Sequence, residues 1–162
     1  GSNRLLKYLL ILFVLAMAVA PLTHFLPSKR QRQLARMREY AAVHGLFVEF
    51  RDLPAVDGLS PAGERAQQVI YYGKRLPPSR GEPRPRRAWV RDTEGWRGLQ
   101  RRWEAPAAAA AMPASVRALG VDEGSCGAYW LEDGEEEDVE EIVRAVEDWE
   151  AALGGRKTAR IP

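Results

Sequence analysis

The side chains with catalytic or metal-binding chemistry are few in this sequence. Its only cysteine is Cys126, and its two histidines are His24 and His44. A zinc-type site needs several such ligands at close spacing, so metal catalysis is not expected. Cys126 lies in Ser-Cys-Gly with no base beside it, which favours a buried structural cysteine over a nucleophile. We predict no catalytic residue, no metal ligand and no cofactor.

Carboxylates are abundant, but their arrangement is typical of a helix N-terminus. Eight acids and no base lie between Glu132 and Glu141. Paired carboxylates can act as general acid and base. Here, however, the acids follow Gly134 and open a segment with apolar residues at helical spacing, where negative charge is favourable. A solvated acidic helix face is the favoured interpretation.

Arginine and tryptophan are concentrated in one part of the chain and could bind a partner. Trp96 and Trp103 are interleaved with Arg97, Arg101 and Arg102. Core tryptophans with structural cation–π contacts are the favoured interpretation. The alternative is a stacking surface, for a partner protein rather than for nucleic acid. The candidate partner-binding residues are Arg84, Arg86, Arg87, Trp96, Arg97, Arg101, Arg102 and Trp103.

The formal charge of +2 conceals two blocks of opposite sign. Residues 74–102 carry ten bases against three acids, whereas residues 132–141 are acidic. Nucleic-acid binders are more often basic overall, so nucleic acid is an unlikely partner. Ordinary solvated faces, or pairing between the two blocks, are the simpler interpretations. No small-molecule substrate is evident from the sequence.

The elements that position these residues begin with an apolar segment. Residues 8–26 form a nearly unbroken apolar run, about 28 Å long as a helix and close to the thickness of a hydrocarbon core. A cleavable secretory signal is the main alternative. Pro21 would follow the cleavage site after Ala20, which favours an uncleaved anchor. Pro21 should also kink the helix or end it early.

A basic segment follows the apolar one and predicts its orientation. Positive flanking charge is retained on the cytoplasmic side, so the C-terminal domain should lie in the cytoplasm. The same cations could hold the segment against anionic lipid headgroups. The candidate lipid-contacting residues are Lys29, Arg30, Arg32, Arg36 and Arg38.

The pattern of the remaining chain predicts an α+β fold, in which a small antiparallel sheet packs against helices after the transmembrane helix. We expect strands at 46–51, 68–72, 87–91 and 125–131, a short strand or turn near Trp96 or Trp103, and a helix from Gly134 to Gly154. Residues 77–87 are proline-rich and are expected to be mobile. Residues 105–111 predict a linker with at most a short helix, and a turn should follow at 114–119. The predicted divisions are an anchor (1–27), a basic juxtamembrane helix (28–45), a cytoplasmic domain (46–154) and a tail (155–162).

Several short sequence features together resemble a known group of proteins. They are the run LPSKRQRQLARMR, the A-x-x-x-G-L segment at 41–46, Gly95-Trp96, Arg102-Trp103-Glu104, residues 112–120, and Tyr129-Trp130 before the final helix. With these features the chain resembles short single-pass inner-membrane proteins of gammaproteobacteria commonly labelled preprotein translocase subunit YajC. The translocase family itself is shorter and mostly β, and this chain departs from it in the tryptophan-rich region and the acidic final helix.

These features favour a non-enzymatic protein over an enzyme. The leading hypothesis is an accessory or scaffold subunit of a larger inner-membrane protein complex, anchored by one helix. The resemblance supplies one alternative, an auxiliary role in protein export. The arginine-rich region supplies the other, a membrane-tethered nucleic-acid binder, which would bind with steep salt dependence.

Overall fold

The computed structural model describes residues 2–23, 28–54 and 68–154, and it divides the chain into two compact units, Gly1–Leu34 and Ala35–Pro162. In the first unit, α1 (Ser2–Thr23) continues through Pro21 rather than ending there. Its segment Ser2–Leu22 is long and apolar enough to cross a membrane, with a mean hydropathy of 2.4 and no buried residue. An N-terminal signal sequence has the same properties. His24, the 54–63 loop beyond Pro54 and the 155–162 tail lie outside the described residues.

The fold is α+β, as the sequence pattern predicts. Six antiparallel strands form one sheet in the order β1-β2-β6-β5-β3-β4. The helices and strands after α1 are α2 (Lys29–Val43), β1 (Leu46–Asp52), β2 (Gln68–Arg75), β3 (Arg87–Asp92), β4 (Gly95–Gly98), α3 (Ala107–Ala111), β5 (Val116–Val121), β6 (Ser125–Trp130) and α4 (Glu136–Leu153).

One predicted element is wrong. Residues 114–119 were expected to form a turn, but Val116–Val121 is a central strand that pairs with β6 on one side and β3 on the other. Ala118 and Gly120 have low strand propensity, which hides this strand in the sequence. Pairing with β6 across a short turn, and with the more distant β3 on the other side, outweighs the local preference.

Strand register divides the side chains between two faces of the sheet, because residues directly opposite each other in an antiparallel pair share a face. Trp89 contacts Trp149 of α4, with ring centroids 6.0 Å apart. Leu119 lies opposite Trp89, Ala128 lies opposite Leu119, and Tyr72 lies opposite Ala128, so these side chains share one face. We call this side, which α4 covers, the helix face. Trp89 is buried there.

Helix α4 closes the helix face with an apolar stripe. Its buried residues recur at helical spacing and are Val139, Ile142, Val143, Ala145, Val146 and Trp149. A capping box begins the helix: the Glu135 side chain accepts the backbone N–H of Asp138, and the Asp138 carboxylate accepts that of Glu135. The acidic N-terminus predicted from the sequence is thus part of the helix start. On α2, Met37 and Ala41 are buried, and Gly45 follows the helix at a φ of +84° that favours glycine.

Candidate functional site

The opposite side of the sheet carries aromatic rings lying over glycines. Tyr71 and Tyr129 face each other across β2 and β6, with ring centroids 4.7 Å apart, and Phe47 lies 5.7 Å from Tyr71. Gly73 and Gly127 form the next cross-strand pair. A Cβ atom on Gly73 would collide with the Tyr71 ring. Because these two glycines carry no side chain, the neighbouring aromatic rings have room to lie across the strands.

Guanidinium groups cover these rings. The Arg51 Cζ atom lies 3.9 Å from the centroid of the Tyr71 ring, and the Arg75 Cζ atom lies 4.8 Å from that of Phe47. Arg51 Nε also donates to Glu49 Oε2 at 2.8 Å. Cation–π contacts of this kind stabilise both the rings and the position of the cation. We call this side of the sheet the arginine face.

A cavity of about 330 Å³ opens where the arginine face meets the loop before β3. Arg51, Tyr71 and Tyr129 line it from the sheet, whereas Arg86 and Arg87 belong to the segment entering β3. Trp103 lies beside them, with the Arg87 Cζ atom 5.8 Å from the centroid of its ring. Asp122 is the acidic residue of the lining. We call this the arginine cavity, defined by Arg51, Tyr71, Arg86, Arg87, Trp103, Asp122 and Tyr129.

The proline-rich loop beside this cavity was expected to be mobile, but hydrogen bonds hold it. The Glu123 carboxylate accepts the backbone N–H of Ser79 at 2.9 Å, the Ser79 hydroxyl at 2.9 Å and the backbone N–H of Arg84 at 2.6 Å. The hydrogen bond from the Ser79 backbone is the largest influence lowering the pKa of Glu123, followed by that from Arg84. Glu123 therefore positions the segment that carries Arg86.

The structure separates the predicted partner-binding residues into groups. Arg86, Arg87 and Trp103 meet at the arginine cavity. Arg84 instead turns back onto the loop, where its guanidinium donates to the carbonyls of Pro77 and Glu123 at 3.0 Å and 3.2 Å. Arg101 and Arg102 are exposed, and Arg102 Nε donates to Gln100 Oε1 at 3.1 Å.

Trp96 and Arg97 lie on the β3–β4 hairpin with partners of their own. Trp96 Nε1 donates to the carbonyl of Ala109 at 3.1 Å, and the Arg91 Cζ atom lies 4.3 Å from the centroid of the indole ring. Arg97 pairs with Asp92 at 3.0 Å. Trp96 and Trp103 thus do make cation–π contacts. Their partners are Arg91 and Arg87, whereas Arg97, Arg101 and Arg102, which are interleaved with the tryptophans in the sequence, do not supply them.

The cations of α2 also differ in their partners. Lys29, Arg30 and Arg32 are exposed, and their predicted lipid contacts stay predictions. Arg36 pairs with Glu136 at 2.9 Å. Arg38 makes two hydrogen bonds to Glu132, at 2.6 Å and 3.0 Å. These two arginines therefore have partners in the domain itself.

Glu132 is the centre of a buried polar cluster. Only 2% of it is exposed, and the Tyr72 hydroxyl donates to its carboxylate at 2.6 Å. The hydrogen bond to Glu132 is the main influence raising the pKa of Arg38, and burial raises the pKa of Tyr72. The acidic block thus pairs within the chain through Arg36 and Arg38, and through Arg117 with Asp133. These bases come from α2 and β5 rather than from the basic block at 74–102.

The thiol of Cys126 is buried, which gives this cysteine a structural role. Cys126 is fully buried, and burial raises the pKa of its thiol to about 12, so it is protonated at neutral pH. Within residues 2–23, 28–54 and 68–154, no three metal-ligating side chains of the His, Cys, Asp and Glu types form a cluster. The arrangement that remains is suited to binding an anionic group between guanidinium ions.

Sequence reasoning did not single out Arg51, Tyr71 or Tyr129 as site residues. The alternation Phe47-x-Glu49-x-Arg51 and Val69-x-Tyr71-x-Gly73 places polar and aromatic groups together on one face of each strand. That signal exists within each strand. Which strands are neighbours depends on the sheet order, so the cavity itself is visible only in the structure.

No protein-family model matches the chain, and neither a curated protein nor a solved structure is significantly similar to it.

Proposed function

We propose that the protein is a non-enzymatic accessory subunit of an inner-membrane protein complex, anchored by α1 with its domain in the cytoplasm. The observation that carries the proposal is α1 itself, whose candidate span Ser2–Leu22 is 21 residues long, with a mean hydropathy of 2.4 and exposed side chains. An exposed apolar helix of this length is stabilised by lipid or by another protein.

The charges that follow α1 support the cytoplasmic orientation. Lys29, Arg30 and Arg32 are basic and exposed at the start of α2, as the positive-inside rule requires of a cytoplasmic flank. Each cation near an anionic leaflet contributes about 1 kcal/mol, so these three also favour contact with lipid headgroups. Arg36 and Arg38 have protein partners and add little to this contact.

The domain supports a binding role rather than a catalytic one. Its thiol is buried, its carboxylate Glu132 is bonded to Arg38 and Tyr72, and Glu123 holds a loop. The exposed groups Arg86 and Arg87 lie at the rim of a cavity, where they can bind an acidic group of a partner. A partner of this kind would be recognised by charge, with apolar contacts made by α1 in the bilayer.

Purification of the intact chain in mild detergent, after crosslinking in the membrane, tests the proposal. We expect a membrane protein to co-purify in stoichiometric amount. A matched control replaces residues 5–22 by an unrelated leucine–alanine helix of equal length, which keeps the anchor but removes its specific contacts. Loss of the partner from this control assigns recognition to α1, and retention assigns it to the domain.

Two outcomes would overturn the proposal. One is a strictly monomeric chain with no crosslinked membrane partner, and the other is cleavage after Ala20 with release of the domain. Crosslinks from α1 to translocase subunits would instead identify the complex as the protein-export machinery.

A further inference from the structure

We propose that the arginine cavity is a binding site for a small oxyanion ligand, a molecule that carries a phosphate or carboxylate group. Three arginines converge on the cavity, and guanidinium groups bind planar or tetrahedral oxyanions through paired hydrogen bonds. This binding requires only the domain, so it does not depend on whether the chain assembles with a membrane complex.

The arginines divide into a fixed one and two with free donors. Arg51 is half-buried and is held by Glu49 and by the Tyr71 ring. Arg86 and Arg87 are exposed, and within the described part of the chain neither forms an ion pair. Within that part of the chain, no carboxylate pairs with these two positive charges, and an anion can neutralise them.

The acidic residue of the lining does not cancel this charge. Asp122 Oδ1 accepts the backbone N–H groups of Gly124 at 2.8 Å and Ser125 at 2.9 Å. Its carboxylate is thus occupied in stabilising the turn between β5 and β6. Asp122 keeps its negative charge, but it is one carboxylate against three guanidinium groups among the described lining residues, so their net charge is positive and favours an anion.

Two of the three aromatic rings that line the cavity argue against a nucleobase as the main determinant. Tyr71 and Tyr129 are 1% and 5% exposed, and Arg51 covers the Tyr71 ring. Base stacking needs an accessible ring face, and these two rings do not offer one. A volume of about 330 Å³ is also near the lower limit for small-molecule pockets, which suits a compact ligand rather than a polymer.

Titration calorimetry on the full chain in uncharged detergent micelles tests the site. The probes are pyrophosphate and citrate at constant ionic strength, with chloride as the reference salt, because screening alone weakens any charge contact. We expect saturable one-to-one binding of at least one probe. Pyrophosphate alone would identify the phosphate class, and citrate alone the carboxylate class.

Two matched double variants decide whether the cavity is responsible. Arg86→Gln with Arg87→Gln removes the free cations of the cavity. Arg80→Gln with Arg101→Gln removes two exposed cations outside its lining, with the same change in net charge. We expect about a tenfold or greater loss of affinity in the first pair and less than about a twofold loss in the second. Thermal unfolding confirms that both variants remain folded.

Three results would overturn the proposal. The first is no saturable binding of either probe by the unmodified chain. The second is an equal loss of affinity in both double variants, which would show a non-specific charge effect. The third is binding of a single-stranded oligonucleotide or an acidic peptide through Arg86 and Arg87 while both small probes fail.

Discussion

The two faces of the sheet bury aromatic residues by different means. On the helix face, Tyr72 and Trp130 lie 5.2 Å apart on the side that the apolar stripe of α4 covers, and the Tyr72 hydroxyl donates to Glu132. On the arginine face, Tyr71 and Tyr129 are also buried, but guanidinium groups cover the rings. Apolar side chains packed over a ring stabilise the folded state and add no charged group to the surface. A cationic cover gives some stability and leaves charged groups at the surface.

This difference assigns separate tasks to the two faces. We expect core contacts on the helix face to account for most of the free energy of unfolding, and the arginine face to supply the donors of the proposed ligand site. Matched substitutions on the two faces can test this division.

The largest expected effect is the loss of Trp130. Trp130→Ala removes a fully buried ring from the helix face and should lower the free energy of unfolding by about 4 kcal/mol. Phe47→Ala removes a half-buried ring from the arginine face and should lower it by about 1–2 kcal/mol. Urea denaturation of the two variants measures both values. Equal losses would contradict the division between the faces.

Removal of a carboxylate charge should have the next largest effect. Glu132→Gln weakens the hydrogen bonds from Arg38 and Tyr72 in a buried setting, so we expect a loss of about 2–3 kcal/mol. Glu49→Gln makes the same change in an exposed pair with Arg51, where less than about 1 kcal/mol is expected. The same denaturation assay compares them. A larger loss for Glu49→Gln would place the important ion pair on the arginine face.

The two neighbouring tyrosines allow a finer comparison. Tyr72→Phe removes a hydroxyl that donates to a carboxylate, and should lower the free energy of unfolding by about 2 kcal/mol. Tyr71→Phe removes a hydroxyl bonded to the neutral Ser125 side chain at 2.9 Å, and about 1 kcal/mol is expected. Because the rings are retained, the difference reports the hydrogen bonds. Reversal of the order would show that the Glu132 cluster contributes little.

The smallest effect concerns the loop beside the arginine cavity. Hydrogen bonds from Ser79 and Arg84 hold the pKa of Glu123 below the ordinary value of a glutamate in the folded chain. Its stabilisation of the loop is therefore fully present above that value and is lost as the pH falls through the lower folded pKa. The protection factors for amide exchange at Ser79 and Arg84, which correct for the slower intrinsic exchange in acid, should fall in that range while those on the helix face stay high. Glu123→Gln should remove this pH dependence, and its persistence would assign it to another group.

Periodic elements could be predicted from the sequence because their signals are local. The helix after Gly134 and the strands around Phe47, Tyr71 and Trp89 each combine a period of apolar residues with breakers at their ends. The strand Val116–Val121 could not, since it owes its conformation to β3 and β6. Local propensity does not contain that information.

The site was predictable only in part for the same reason. Residue types identified Arg86, Arg87 and Trp103 as binding candidates, and the structure places them together. Arg51 joins them because β1 pairs with β2, and Arg38 meets Glu132 across 94 residues of sequence. Contacts over such separations depend on the order of the strands in the sheet, and the pattern of residues along the sequence does not determine that order.

The sheet order also determines when the domain can be completed during synthesis. Ile70 of β2 lies opposite Trp130 of β6, so the β1–β2 hairpin joins the rest of the sheet only after the sixth strand has been made. Pairing over so long a separation is slow. Until then one edge of β2 and its adjacent rings are exposed on a nascent chain whose apolar helix has already left the ribosome. A chain that stops before residue 125 therefore keeps an unpaired strand edge, and we expect it to aggregate.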